Sequence, residues 1–532
     1  MPATPALTAR AVVGRIVEVV IGPLCEKNGP MDESIEDGPH RSKGASDFLS
    51  LRTAEAPAGG KAGWLADRIR QAVNDRRLRP GDHLPAGRTL AADLGVSRGV
   101  VTEAYRRLLD DGLVVTAGRG GTVVATAAPV APQPPSTGPV NRAHSRTRGG
   151  PSGLFGETSA DVFTALRTAP ARFDLSPGLP DLSAFPRAAW MRAERAVLDE
   201  LTPAAFGYGD PAGTPRLRAA VAGWLARFRG IAADPDEIII VAGVAQALAL
   251  VARVLTRRGS HRIGVEDPGS LGARHQLQHW GLSTVPVPVD QAGLRVDELR
   301  ASGVASVLVS PAHEFPMGVV LDGLRRRELV SWAADGGLIV EDDYDAEHRY
   351  DRPPVTALRA AAPDRVCYTG SVSKILAPAL RIGWLLPPRD LLDELIAAKR
   401  EADLGNPALP QLVLAQLMSQ GHLESHLRTV RRRHQRRRDA MVHALARHLP
   451  TATVHGAAAG LHLTVTLDPP GADAADDRAI AAAALAAGVK VQPLSWHRIA
   501  PGPAGLVLGY AATPAGQIEE GVAALAAVIG RA

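Results

Sequence analysis

The 532-residue chain is 45% apolar and 22% charged and carries a formal net charge of +5, a globular composition that excludes a disordered or collagen-like protein. No apolar run reaches the ~18 residues of a membrane span, and the interrupted stretch Ala11 to Leu24 does not read as a secretory leader, so a cytoplasmic protein is expected. Two distant cysteines, Cys25 and Cys367, form no disulfide framework or metal-ligand spacing, and no metal is expected.

In chain order, residues 1–60 lack periodicity and are expected to be a largely disordered extension. Residues 61–125 hold 11 Lys/Arg against 7 Asp/Glu, so a basic front end precedes a nearly neutral body, and nucleic acid is the first expected partner. Leu65, Ile69 and Ala72 repeat at helical spacing, and Arg79-Pro80-Gly81-Asp82 stops that helix. A short helix follows at Thr89 to Leu94. Gly95-Val96-Ser97 makes the turn into a third, which Ser97 can cap and whose inward stripe is Val101, Tyr105 and Leu108. Two β-prone runs, Leu113–Thr116 and Thr122–Ala125, are joined by Ala117 to Gly121. Three helices and a hairpin predict a winged helix-turn-helix. Arg88, Ser97, Arg98, Gly99 and Thr102 lie where side chains or backbone reach a groove or phosphate, and Arg119 sits at the wing tip.

Residues 126–172 read as a linker, Pro-rich at its start and Gly-rich further on. From residue 173 to 532, β-prone runs alternate with helical ones. The predicted strands are Glu237–Val241, Arg262–Val265, Val304–Val309, Leu338–Glu341, Arg365–Tyr368 and Ile382–Leu385. The alternation predicts an α/β domain with a mostly parallel sheet, whose ligands gather at strand carboxyl ends. Three such ends carry polar clusters: Gly243-Val244-Ala245 opening a helix, Glu341-Asp342-Asp343-Tyr344, and Ser371-Val372-Ser373-Lys374. An amine, an acid and a phosphate seat suit pyridoxal phosphate. The run from Arg428 to Arg438 reads as a long helix with a charged solvent face.

The front end resembles the GntR family in Arg79 to Pro85, Arg88, Leu94 to Arg98 and Ala104 to Leu108. The body resembles fold-type I aminotransferases in Phe206 to Gly213, Ser310 to Gly318, Ser371 to Lys374 and Arg381. Together they resemble MocR/GabR-type regulators, which implies a homodimer acting on double-stranded operator DNA and answering to pyridoxal phosphate or an amino compound. By that resemblance Lys374 is the Schiff-base lysine and Asp342 pairs with the pyridine nitrogen. Tyr344 lies near the phenolic oxygen, while Ser371, Arg381 and the Gly243-Val244-Ala245 turn hold the phosphate. Tyr208 reaches a partner's cofactor. The departures are Phe315, Ser270 in place of the ring-stacking aromatic, and Val507 where aminotransferases carry the arginine for the substrate carboxylate. They imply a sensor without efficient turnover rather than a working aminotransferase that kept a DNA-binding head.

Overall fold

The computed structural model describes residues 60–75, 77–116, 121–125, 162–350, 355–467 and 476–531, with residues 51, 56–57 and 154–155. The front end is three helices, Lys61–Asn74, Gly87–Asp93 and Arg98–Asp110, followed by the antiparallel strands Val114–Thr116 and Thr122–Val124. Every apolar residue assigned inward by periodicity is buried in one small core, including Leu65, Ile69, Leu90, Val101 and Leu108. Ser97 occupies the position before the third helix but makes no capping hydrogen bond with its side chain. Arg119 lies outside the described residues.

The large domain is built on an eight-stranded sheet. Its spatial order is Ile239–Val241, Gly383–Leu386, Val366–Ser371, Leu338–Asp343, Ser306–Val309, Arg262–Asp267, Ser283–Asp290 and Gly293–Leu294. The five central strands are parallel neighbours, and only Gly383–Leu386 and the short Gly293–Leu294 run against them. All six predicted strands lie in this sheet. Helices such as Val244–Arg257 and Arg389–Asp403 cover one face, their apolar stripes sharing a core with Val241, Val265 and Val340. A second, four-stranded sheet formed by Thr453–His455, His462–Thr466, Gly505–Gly509 and Gln492–Pro493 belongs to the carboxyl-terminal part.

Two expectations change. Within the stretch read as linker, Val162–Thr168 is helical, and Phe155, Val162 and Leu166 are buried in the same core as Leu463 and Leu508. Phe155 stacks on Trp496 with ring centroids 5.3 Å apart. These residues therefore pack as part of the large domain. The arginine-rich run is a helix, His422–His448, but it does not present a purely solvent-facing charge. Arg437 is buried against Asp181 at 3.1 Å, Arg438 donates to the Ala457 carbonyl at 2.9 Å, and Arg433 bonds both Asp181 at 3.1 Å and the Leu109 carbonyl of the winged head at 3.2 Å. The arginines satisfy internal acceptors because this helix threads between the two sheets' cores, where Val430 and Met441 anchor it.

Candidate functional site

A cavity of about 650 Å³ opens where the parallel strands end, and Asp342, Tyr344, Lys374, Arg381, Ser270, Ser310 and Phe315 all line it. Their convergence follows from register. Leu338–Asp343 and Val366–Ser371 are parallel neighbours that pair Asp342 with Thr369 and Asp343 with Gly370, so the acid cluster and the lysine segment leave the sheet side by side.

Lys374 donates from Nζ to the Gly178 carbonyl, and burial lowers its amine against the pull of Asp345 and Asp342, which favours the neutral nucleophilic form. Asp342 is held up to about 7, first by burial and then by the charges of Asp343 and Asp345. Its Oδ1 is buried and unpartnered. A buried acid with an unfilled oxygen is suited to a cationic or N–H partner supplied by a ligand. The Tyr344 hydroxyl lies 3.0 Å from His313 Nδ1, which also meets Asp345 Oδ2 at 3.0 Å. Burial, then Asp345, Glu314 and Asp342, push the phenol well above its ordinary value, so Tyr344 stays a neutral donor. Glu266, raised to about 8 by burial and Asp342, accepts from the Ser310 amide at 3.0 Å.

Gly243, Arg381 and Ser371, the residues expected to seat a phosphate, lie close together around Gly383. Gly243 has φ +80°, and a Cβ there would lie 3.1 Å from an Arg381 guanidinium nitrogen. Arg381 is itself left-handed at φ 51° and donates to the Ala242 carbonyl. The 14-residue helix Val244–Arg257 starts at this turn and directs its free amides there. Ser371 is buried beside Gly383. Of the residues expected to hold the phosphate only Arg381 lines the cavity; Gly243, Val244, Ala245 and Ser371 lie behind its lining. Tyr208 is also outside it, 96% exposed beside the exposed Phe206.

Ser270 caps the helix Leu271–His279 by accepting from the Ala273 amide at 3.3 Å, which gives the missing aromatic's replacement a structural task. Phe315 packs among rings, 4.8 Å from His462 and 4.9 Å from His497. Val507 is fully buried on Gly505–Gly509, paired with Thr464 and Gln492 and therefore on the same sheet face. His313, Asp345 and His462 place potential donor atoms within 4.8 Å of one another, but His313 is bonded to Asp345, and His462 donates to the Pro316 carbonyl at 3.1 Å.

Sequence reasoning missed several residues here. Phe163, Leu166 and Arg167 line the cavity from the supposed linker, and Asp174, Gln492 and His497 line it from distant segments. It also missed a buried histidine chain behind Lys374. His348 Nε2 donates to the Lys374 carbonyl at 3.0 Å, His434 Nδ1 faces His348 Nδ1 at 3.4 Å, and the Asp181 amide donates to His434 Nε2 at 3.3 Å. Burial keeps both rings neutral, lowering His348 to about 4. No motif links these positions; only the fold does.

In the head, Arg88, Ser97, Arg98, Gly99 and Thr102 are all exposed along two adjacent helices. Arg88 and Arg98 have no ion-pair partner among the described residues, whereas Arg106 and Arg107 are paired with Glu103.

Residues 62–124 match the family described as "Bacterial regulatory proteins, gntR family", and residues 173–525 match "Aminotransferase class I and II". The probable rhizopine catabolism regulatory protein MocR of Rhizobium meliloti is 32% identical over 471 residues, covering 87% of this chain and 92% of that protein. The chain belongs to the MocR-type transcriptional regulators. The pyridoxine biosynthesis regulator PdxR of Corynebacterium glutamicum is 34% identical over 409 residues, covering 76% of this regulator and 83% of its own length. Among solved structures, Pyrococcus horikoshii kynurenine aminotransferase superposes with a TM-score of 0.63 at 28% identity, covering 70% of this regulator and 93% of the enzyme. This regulator is thus a GntR-type DNA-binding head on an aminotransferase fold, with no described helix long and apolar enough to cross a membrane.

Proposed function

We propose that this regulator binds pyridoxal phosphate in the cavity at the strand ends and answers to a small amino compound by changing how its paired heads meet operator DNA. The observation that carries the reading is the meeting of Lys374, Asp342, Tyr344 and Arg381 on one cavity, with Asp342 Oδ1 buried and unpartnered. Pyridoxal phosphate, when bound, supplies an aldehyde that captures primary amines and a pyridinium that withdraws electrons. Lys374 offers the amine that holds it. Asp342 keeps the proton on the ring nitrogen, Tyr344 donates to the phenolic oxygen, and Arg381, Ser371 and the Gly243 turn take the phosphate.

The exposed Phe206 and Tyr208 support a homodimer in which each chain completes its partner's site. Two heads per particle then read two half-sites. Arg88, Ser97, Arg98, Gly99, Thr102 and the wing-tip Arg119 make the DNA contacts, and the protein works in the cytoplasm. Turnover is not efficient, because the buried Val507 offers no cation to fix a substrate's carboxylate.

The test uses full-length protein reconstituted with pyridoxal phosphate. A visible absorbance band lost in Lys374→Ala, together with operator affinity that changes on adding an amine effector, is the expected result. Sustained keto-acid formation dependent on Lys374 would instead make this an enzyme.

A further inference from the structure

The Tyr344 hydroxyl is backed by a histidine whose ring has no freedom to turn. His313 follows the strand Ser306–Val309, and its ring is clamped between two left-handed glycines, Gly318 and Gly460. A Cβ on Gly460 would overlap His313 Cε1, and one on Gly318 would lie 3.0 Å from Nε2. The Gly460 backbone is itself fixed. Its amide donates to the His348 carbonyl at 2.8 Å, and its carbonyl accepts from the Tyr350 and Tyr510 hydroxyls at 2.7 and 2.6 Å. Held this way, His313 Nδ1 lies 3.0 Å from both Asp345 Oδ2 and the Tyr344 hydroxyl. Burial alone would raise Asp345, yet the surrounding histidines, His313 first, hold it below the ordinary carboxylate value, so it is an ionised acceptor. Nδ1 must then carry a hydrogen, because a lone pair there would face a carboxylate. Nε2 is buried without a partner, so all of the ring's hydrogen bonding is made at Nδ1.

One N–H shared between a carboxylate and a phenol oxygen fills the accepting side of Tyr344 and leaves the phenol's own hydrogen to give to a ligand in the cavity. Phe315, its ring centroid 6.3 Å from that of Tyr344 on the same cavity, has no polar atom to take that role. We propose that His313, braced by Asp345, is a positioning residue that aims the Tyr344 hydroxyl at the phenolic oxygen of bound pyridoxal phosphate and strengthens its donation. This rests on the cofactor-binding reading above and deepens it. A donor to the phenolic oxygen stabilises that oxygen as an anion, so it lowers the pH at which the bound cofactor loses the proton shared with the Lys374 nitrogen. Other groups act there by charge: Asp345 beside Tyr344, Glu314 next to His313, Asp342 and Lys374 on the cavity wall, and His462 and His348 around Asp345. Their fields persist without the Tyr344 hydroxyl; the contribution of His313 does not.

The experiment uses full-length protein loaded with pyridoxal phosphate and reads the pH midpoint of its visible band. Asparagine places its amide where the ring has Nδ1, whereas glutamine places it where the ring has Nε2, so two variants of like polarity differ in where the N–H stands. His313→Asn should keep the wild-type midpoint to within about 0.2 pH unit, and His313→Gln should raise it by about 0.5–1 pH unit, the size of one hydrogen bond. His313→Ala, which removes the donor and adds no bulk, should match His313→Gln and preserves the comparison if either of the two fails to fold. In a Tyr344→Phe background, His313→Gln should shift the midpoint no further, because the hydroxyl it positions is gone. A role confined to packing, or to the field of Asp345, would move both backgrounds alike. Equal midpoints in His313→Asn and His313→Gln, or a His313→Gln shift that persists in Tyr344→Phe, overturns the proposal. A loaded wild type with no visible band overturns the cofactor reading, and the proposal with it.

Discussion

Replacing Asp342 with asparagine should move cofactor affinity and apoprotein stability in opposite directions at pH 8. The Asp342 carboxyl is raised to about 7 by burial and by Asp343 and Asp345. Against an ordinary value near ~3.9, that is a penalty of about 4 kcal/mol on the ionised form. A carboxyl raised in the folded state stabilises that state while protonated. The contribution is complete below ~4 and is lost as pH rises through about 7. At pH 8 the wild-type apoprotein therefore carries nearly the full penalty, which Asp342→Asn removes. The new amide, buried where Oδ1 has no partner, costs about 1–3 kcal/mol in return. The net expectation is a gain of ~1–3 kcal/mol at pH 8; at pH 5, where about 1.5 kcal/mol of the penalty remains, the change should shrink to between about +0.5 and −1.5 kcal/mol. Cofactor binding loses a charge-assisted bond of about 1.5–3 kcal/mol, so Kd should rise roughly 10- to 150-fold. Urea unfolding of cofactor-free protein at both pH values, and absorbance titration with pyridoxal phosphate at pH 8, measure the two effects. A gain at pH 5 as large as that at pH 8, or an unchanged Kd, would refute the reasoning.

Asp343→Asn should cost about 3–5 kcal/mol in urea unfolding, because Arg229, 1% exposed and also bound to the Val355 carbonyl, would stay charged without its carboxylate. A double change with Arg229→Met should be milder than Asp343→Asn alone; equal or greater loss would contradict the pairing. Gly243→Ala forces a side chain into a φ of +80° and to 3.1 Å from the Arg381 guanidinium, so phosphate-dependent cofactor affinity should fall at least about tenfold while pyridoxal lacking the phosphate is little affected. Arg98→Ala should weaken operator binding by about 1–3 kcal/mol more than it weakens binding to random duplex, read by fluorescence anisotropy at fixed salt; equal losses would reduce Arg98 to a phosphate contact.

The sequence alone determined the elements whose signal is local. The head was legible because each helix buries one stripe, and Leu65, Ile69, Val101 and Leu108 repeat at the helical period. Six of the eight strands of the large sheet were legible as β-branched runs, three of them ending in polar clusters, and in a parallel sheet those ends are where ligands sit. The strand Ser283–Asp290 was missed because Pro286 and Pro288 argue against a strand. Two residues apart, they aim their missing donors to the same side, where the neighbouring Gly293–Leu294 pairs only with Val289 and Asp290. The helix Val162–Thr168 was lost inside a Pro- and Gly-rich stretch because seven residues carry too little periodicity to stand against it.

Lys374, Asp342, Tyr344 and Arg381 were legible as types at strand ends, and the fold brings them to one cavity. The residues behind and across from them were not. Asp181 reaches His434 across 253 positions, Lys490 reaches Asp174 across 316, and Arg433 reaches Leu109 across 324. Local spacing cannot encode such pairs, because each partner is chosen by how separate layers pack. The tertiary structure alone therefore decided which buried charges are neutralised, as Arg229 is by Asp343 and Arg437 by Asp181.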